Sequence, residues 1–179
     1  DARALNFHNA VLLKASTPTI RGASRIEAKF EESDQRRWHI DCPKCGKSQV
    51  LEWAQIKWPK DDPAGAYYEC PHCEFKMTDQ DRVNAILAGR WVAEYPDRQV
   101  RGYHLSGLYR IMGRKKQYTS YLHEFAATFL DAKHAGREAL KVWTNTFLGD
   151  TWEEAGERIE VADLLNRGED YKTDPLPEG

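Results

Sequence analysis

Hydrophobic positions change their spacing several times along this 179-residue chain, and each change predicts an element. Ala10-Val11-Leu12-Leu13-Lys14-Ala15 is a nearly continuous apolar run, the pattern of a strand buried on both faces as in a parallel α/β sheet. It stops at Ser16-Thr17-Pro18-Thr19, where Pro18 ends the ladder and biases Thr17 towards extended geometry. Ser24 is placed to cap a short helix with Ile26 and Phe30 on one face. Residues 38–76 read as a small antiparallel module. Trp38-His39-Ile40, the alternating stretch Ser48 to Trp53, Ile56-Lys57-Trp58 and Ala66-Tyr67-Tyr68-Glu69 supply its strands, with a polar turn at residues 60–65.

Thr78 followed three residues later by Asp81 resembles a capping box and opens a helix carrying Val83, Ile86 and Leu87, which stops at Gly89. Trp91 to Tyr95 alternates as a strand, and Tyr103-His104-Leu105 predicts another. Leu122, Phe125, Ala126, Phe129 and Leu130 form one helical stripe ending near Gly136. Leu140, Trp143 and Phe147 form a second ending at Gly149. Both stripes predict core. A last short helix over Val161, Leu164 and Leu165 precedes a Pro-rich linker at residues 173–177.

Composition changes this picture little. At 41% hydrophobic and 30% charged, the chain is too apolar for disorder, and no run approaches the ~20 apolar residues a membrane helix needs. Nothing resembles a secretory signal. The chain begins at Asp1 and its first methionine is Met77, so it is expected to be a piece of something longer.

Charge changes more. The formal net charge of −2 conceals a block at residues 80–137 with ten basic against five acidic side chains, beside a block at 138–179 with four against eleven. Such a split predicts a basic face for an anionic partner, or two solvated faces with no partner. Arg110, Arg114, Lys115 and Lys116, in a basic loop, are the candidate phosphate contacts, with Arg98 and Arg101 as secondary ones.

The four cysteines fall into two pairs, Cys42-Pro43-Lys44-Cys45 and Cys70-Pro71-His72-Cys73. Nothing points to an oxidising compartment, and a redox reading of one pair leaves the other unexplained. Two such knuckles fit a tetrahedral zinc site with Cys42, Cys45, Cys70 and Cys73 as ligands. A module with so little apolar area would take much of its folding energy from the metal, of the order of 10–16 kcal/mol in small zinc peptides. Gly46-Lys47-Ser48 looks like the end of a phosphate-binding loop, but Asp41 stands where that loop requires glycine. His72 within its Cys-Pro-His-Cys knuckle lacks the downstream pattern of the nucleobase deaminases and reads as an exposed knuckle residue.

The order of these segments resembles the large terminase subunits of lambda-type tailed bacteriophages. The resemblance is carried by Ala15 to Gly22, Ser24-Arg25-Ile26-Glu27, Ser33 to Arg37, and the knuckles with Gly46 and Gln49. Gly102 to Tyr109 and Asn145 to Trp152 complete it. It implies an α+β chain with the end of an α/β ATPase sheet, an inserted zinc ribbon and a mainly helical connector. The divisions are residues 1–37, 38–77 and 78–171, followed by a linker at 172–179. It places Ser16 and Thr17 at the family's coupling motif, thought to link the γ-phosphate state to domain movement, and gives Arg36 and Arg37 no role. The Walker residues would lie upstream of Asp1 and the first nuclease carboxylate downstream of Gly179. The fragment is then expected neither to hydrolyse ATP nor to cleave DNA, while its parent binds ATP and Mg. The implied partners are double-stranded viral DNA, the terminase small subunit, the portal and further copies of the chain, in the host cytoplasm. The competing expectation is a free-standing zinc-ribbon adaptor for nucleic acid or protein.

Overall fold

Residues 9–154 are described by a computed structural model, so the expected helix over Val161, Leu164 and Leu165 and the Pro-rich linker lie outside the described residues. The order is α1 (Arg25–Glu31), β1 (Arg36–Asp41), β2 (Ser48–Val50), β3 (Ile56–Lys57), β4 (Tyr67–Glu69), β5 (Lys76–Met77) and α2 (Asp79–Leu87). Then come β6 (Arg90–Val92), β7 (Tyr103–His104), α3 (Tyr121–Ala135) and α4 (Arg137–Trp143). Short 3-10 turns occupy Trp53–Gln55, Pro63–Gly65 and Gly107–Tyr109, and a π turn, Thr144–Leu148, extends α4.

β1 is the centre of the larger sheet. β2 pairs with it antiparallel through His39–Asp41, β6 antiparallel through Arg37–His39, and β7 parallel through Arg36 and Arg37. Because strand side chains alternate, Trp38 and Ile40 point to one face and Arg37 and His39 to the other. Ile40 is fully buried and the Trp38 indole donates to the Ile86 carbonyl of α2. A second antiparallel sheet, β3-β4-β5, sets Tyr68 between Ile56 and Met77, and all three are buried.

The fold class is α+β, but the predicted strand over residues 10–15 is absent. That segment has no strand partner, and Val11 and Leu13 are 92% and 87% exposed. A strand buried on both faces needs paired neighbours and two covering layers, and the described residues supply neither. Parallel pairing instead appears beyond Pro18, as a bridge from Ile20 to Trp152. The alternating strands at 48–53 and 91–95 stop early. Trp53 opens a 3-10 turn, and the Glu94 and Tyr95 amides leave the ladder to donate to the Asp34 carbonyl.

Capping follows the sequence closely. Thr78 and Asp81 form a reciprocal capping box on α2, and Ser120 caps α3 through the His123 amide. The expected stripe on α2 is rotated, however. Ile86 is buried but Leu87 is 67% exposed, and the most buried side chain of the helix is Arg82. Its guanidinium pairs with Asp79, donates to the Leu108 and Arg110 carbonyls, and lies 5.3–5.4 Å from the Phe125 and Tyr121 ring centres. Asp79 in turn accepts from the Tyr121 amide at the start of α3. Sequence periodicity has no means of placing a charge here, because the partners are backbone carbonyls 26 and 28 residues away.

Asp34 is a second buried charge. It accepts from the Gly102 amide and the Arg36 guanidinium. Burial works to raise its pKa, but the Gly102 and Arg36 bonds outweigh it and hold the carboxyl below its ordinary range. Gly102 must be glycine here: a Cβ would sit 1.8 Å from Ser33 Oγ. The Ser33–Arg37 and Gly102–Tyr109 motifs are therefore two sides of one contact.

Removing one partner of a buried ion pair leaves the other unpaired, at a cost of about 3–5 kcal/mol. Arg82→Ala is expected to destabilise the chain by about that much in urea unfolding, whereas Arg90→Ala, which breaks an exposed pair with Asp41, leaves the midpoint nearly unchanged.

Candidate metal centre and its surroundings

Two hairpins bring the cysteines together. Cys42 and Cys45 lie in the turn from β1 to β2, and Cys70 and Cys73 in the turn from β4 to β5. The turns repeat one geometry. The Cys42 amide donates to the Lys47 carbonyl and the Gly46 amide to the Cys42 carbonyl. Likewise the Cys70 amide donates to the Phe75 carbonyl and the Glu74 amide to the Cys70 carbonyl. Each turn closes through a left-handed residue, Gly46 at φ 69° and Glu74 at φ 57°. Glycine takes that conformation freely; Glu74 does so at a cost that the turn's hydrogen bonds must offset.

The four sulfurs lie within 4.8 Å of one another, with Cys42 to Cys73 at 3.8 Å and Cys45 to Cys70 at 4.0 Å. Zinc bound tetrahedrally at about 2.3 Å from each thiolate sets its sulfurs about 3.8 Å apart. The donor set and its spacing thus fit one tetrahedral ion. The surroundings favour thiolate unevenly. Burial raises the Cys70 thiol, but amides of His72 and Cys73 more than offset it and bring it to about 7. Burial and neighbouring sulfurs push Cys73 up to about 12. Packed like charges resist joint ionisation unless a cation enters among them. Gln49, 6% exposed, donates to Cys70 Sγ at 3.7 Å and so acts as an outer partner of the site. Its role was not legible in sequence, because β2–β1 pairing is what turns it inward beside Ile40. His72 is exposed at the tip of its knuckle and outside the sulfur cluster.

The remaining candidates occupy three other places. Ser16 and Thr17 are exposed and line a cleft of about 820 Å³ that also contains Arg37, His104 and Thr144. Arg36 serves Asp34 and lies over Tyr103, whereas Arg37 lies over Phe30. In the basic loop, Arg114, Lys115 and Lys116 are exposed. Arg110 is half-buried, pairs with the buried Glu124 at 2.9 Å and packs near the Tyr121 and Phe125 rings. Arg98 stacks 3.9 Å from the Tyr95 ring centre and donates to the Glu31 and Ser33 carbonyls, and Arg101 is exposed.

The family model described as "Phage terminase large subunit gpA, ATPase domain" matches residues 1–91, and that of the "Terminase large subunit gpA, endonuclease domain" matches 100–179. The chain belongs to this terminase family. It is 29% identical over 178 residues to the terminase large subunit of Enterobacteria phage P21, and 28% identical over 185 residues to that of Escherichia phage lambda. These alignments cover 87% and 93% of this chain but 27% and 28% of the relatives, so the chain spans little more than a quarter of their length. No solved structure matches it. The four cysteines of this terminase segment fall within the ATPase-domain match, and the basic loop falls within the endonuclease-domain match.

The sulfur geometry predicts one zinc per chain in freshly purified, reduced protein, and a strong chelator should unfold the two hairpins together. Cobalt substitution should give the absorption of a tetrahedral thiolate site. Metal analysis that finds no zinc would overturn the four-thiolate assignment.

Proposed function

We propose that this chain is the segment of a DNA-packaging terminase large subunit that joins the ATPase domain to the nuclease domain and passes movement between them. The observation that supports this is the number of buried contacts crossing residues 91–100, where one family match ends and the other begins. β7 pairs with β1, Asp34 holds Gly102, and Arg82 holds the Leu108 and Arg110 carbonyls. The Tyr109 hydroxyl donates to the Trp38 carbonyl and accepts from the Leu51 amide, and burial pushes its pKa up to about 12. A junction built this way transmits force as a rigid body, where a flexible linker would absorb it.

In this reading a structural zinc on Cys42, Cys45, Cys70 and Cys73 makes a zinc ribbon of the two hairpins, and residues 78–171 are the connector. Ser16 and Thr17 act as the coupling hydroxyls. They lie just before the segment where the Arg21 amide donates to the Trp152 carbonyl, the Trp152 amide donates to the Thr19 carbonyl, and Thr151 donates to Glu27. Movement at Ser16 and Thr17 therefore has a short hydrogen-bonded route to residues 151–152. The whole subunit would bind ATP and Mg, act on double-stranded viral DNA in the host cytoplasm, and assemble with the small subunit, the portal and further copies of itself. Arg114, Lys115 and Lys116 contact DNA phosphates, with Arg110 bracing the loop through Glu124.

DNA binding by this loop has a quantitative signature. Each phosphate contact contributes about 0.9 to the slope of log K against log salt on duplex DNA. Reversing Arg114, Lys115 and Lys116 to Glu together should weaken duplex binding and make that slope shallower by about 2–3. An unchanged slope would remove the loop from the DNA contact.

A further inference from the structure

Four separated sequence motifs meet at the cleft of about 820 Å³. One wall is Ser16 to Pro18 with α1, and the other is the π turn with Gly149 to Thr151. The floor is the outer face of β1 and β7, where Arg37 and His104 are register partners and so project to the same side. A smaller cavity of about 380 Å³ shares Arg37, His104 and Asp150 with it, so these residues stand between two spaces.

Arg37 is the exceptional residue. It is half-buried with its guanidinium 5.7 Å from the Phe30 ring centre, and among the described residues no carboxylate or carbonyl partners it. A guanidinium set into a cleft without an anion is costly unless one arrives from outside. Three of the cleft's four carboxylates are engaged by other groups in or beside the cleft. Glu153 pairs with Arg21, Glu27 accepts from the Gly22 amide and from Thr151, and Asp150 lies 3.3 Å from His104. Glu31 remains, exposed at the rim. On the walls, the Thr17 and Thr144 hydroxyls have no hydrogen-bond partner among the described residues.

The wall segment has one further mark of a site. The π turn departs from α-helical hydrogen bonding, a departure that recurs at functional positions.

We propose that this cleft binds a phosphate group, with Arg37 as its anchor and Thr17 and Thr144 as flanking donors. The planar fork of arginine matches two oxygens of one phosphate, and hydroxyls can turn to serve a third. The phosphate belongs either to a nucleotide or to a nucleic-acid backbone. That choice of sources rests on the terminase reading above, but phosphate binding itself does not.

The test is calorimetric titration of the zinc-loaded chain with inorganic pyrophosphate, followed by competition with a non-hydrolysable ATP analogue and with a duplex oligonucleotide. Arg37→Gln should weaken pyrophosphate binding about 10- to 100-fold, as loss of a charge-assisted contact does. Arg37→Lys should restore part of it, and Thr144→Val should weaken it without altering the fold. Competition by the nucleotide or by the oligonucleotide identifies the source. The triple Glu reversal at residues 114–116 should leave pyrophosphate binding intact, so failure of the DNA-contact reading and failure of this one are separable. The proposal is overturned if the intact chain does not bind pyrophosphate, or if folded Arg37→Gln and Thr144→Val bind it as well as the unaltered chain.

Discussion

β1 has hydrogen-bonded strands along both edges, and most of the molecule depends on that. One edge carries β2 and β7 end to end, and the other carries β6. Strand alternation then forces Trp38 and Ile40 towards α2 and the smaller sheet, and Arg37 towards the cleft. The pairing of β1 with β2 places Gln49 behind Cys70, and its pairing with β7 places His104 beside Arg37. A register slip of one residue would exchange these faces, taking the sulfur cluster's outer partner and the cleft floor away together.

Three charged side chains among the described residues are buried. Arg82, Asp34 and Glu124 are each almost fully buried, and each is hydrogen-bonded to a backbone group outside its own element. Charges so placed add little net stability over apolar residues, but they penalise misassembly, because a charge without its partner is very costly. Aromatic packing completes the junction. The Trp53 ring is 4.8 Å from that of Trp143 and 4.9 Å from that of Phe129, which fastens the hairpin side to α3 and α4.

The elements that were legible in sequence are those with local causes. The knuckles, the Thr78–Asp81 capping box, the helices over residues 121–135 and 137–143 and the Gly149 stop all follow from spacing and turn chemistry. What escaped has non-local causes. The apolar run at 10–15 has the composition of a buried strand, yet a strand exists only where neighbours pair with it. Nothing in the local pattern marks Arg82 as buried, because its carbonyl partners lie 26 and 28 residues away. Arg110 sits in a basic run, but Glu124, buried on α3, claims it. The cleft joins residues from four stretches of chain, and only folding reveals their meeting.

The central claim is that the two family-matched regions of this terminase segment form one mechanical unit. Native-state hydrogen exchange tests it most directly, because it reports the free energy of opening amide by amide. The Arg36 amide, bonded to the Gly102 carbonyl, and the Gly102 amide, bonded to Asp34, should open only with the whole molecule, together with the amides of Ile40 and Phe125. The account predicts a shared, highest opening energy for these sites. Independent, easier opening of residues 100–150 while β1, β2 and the hairpins stay protected would contradict it.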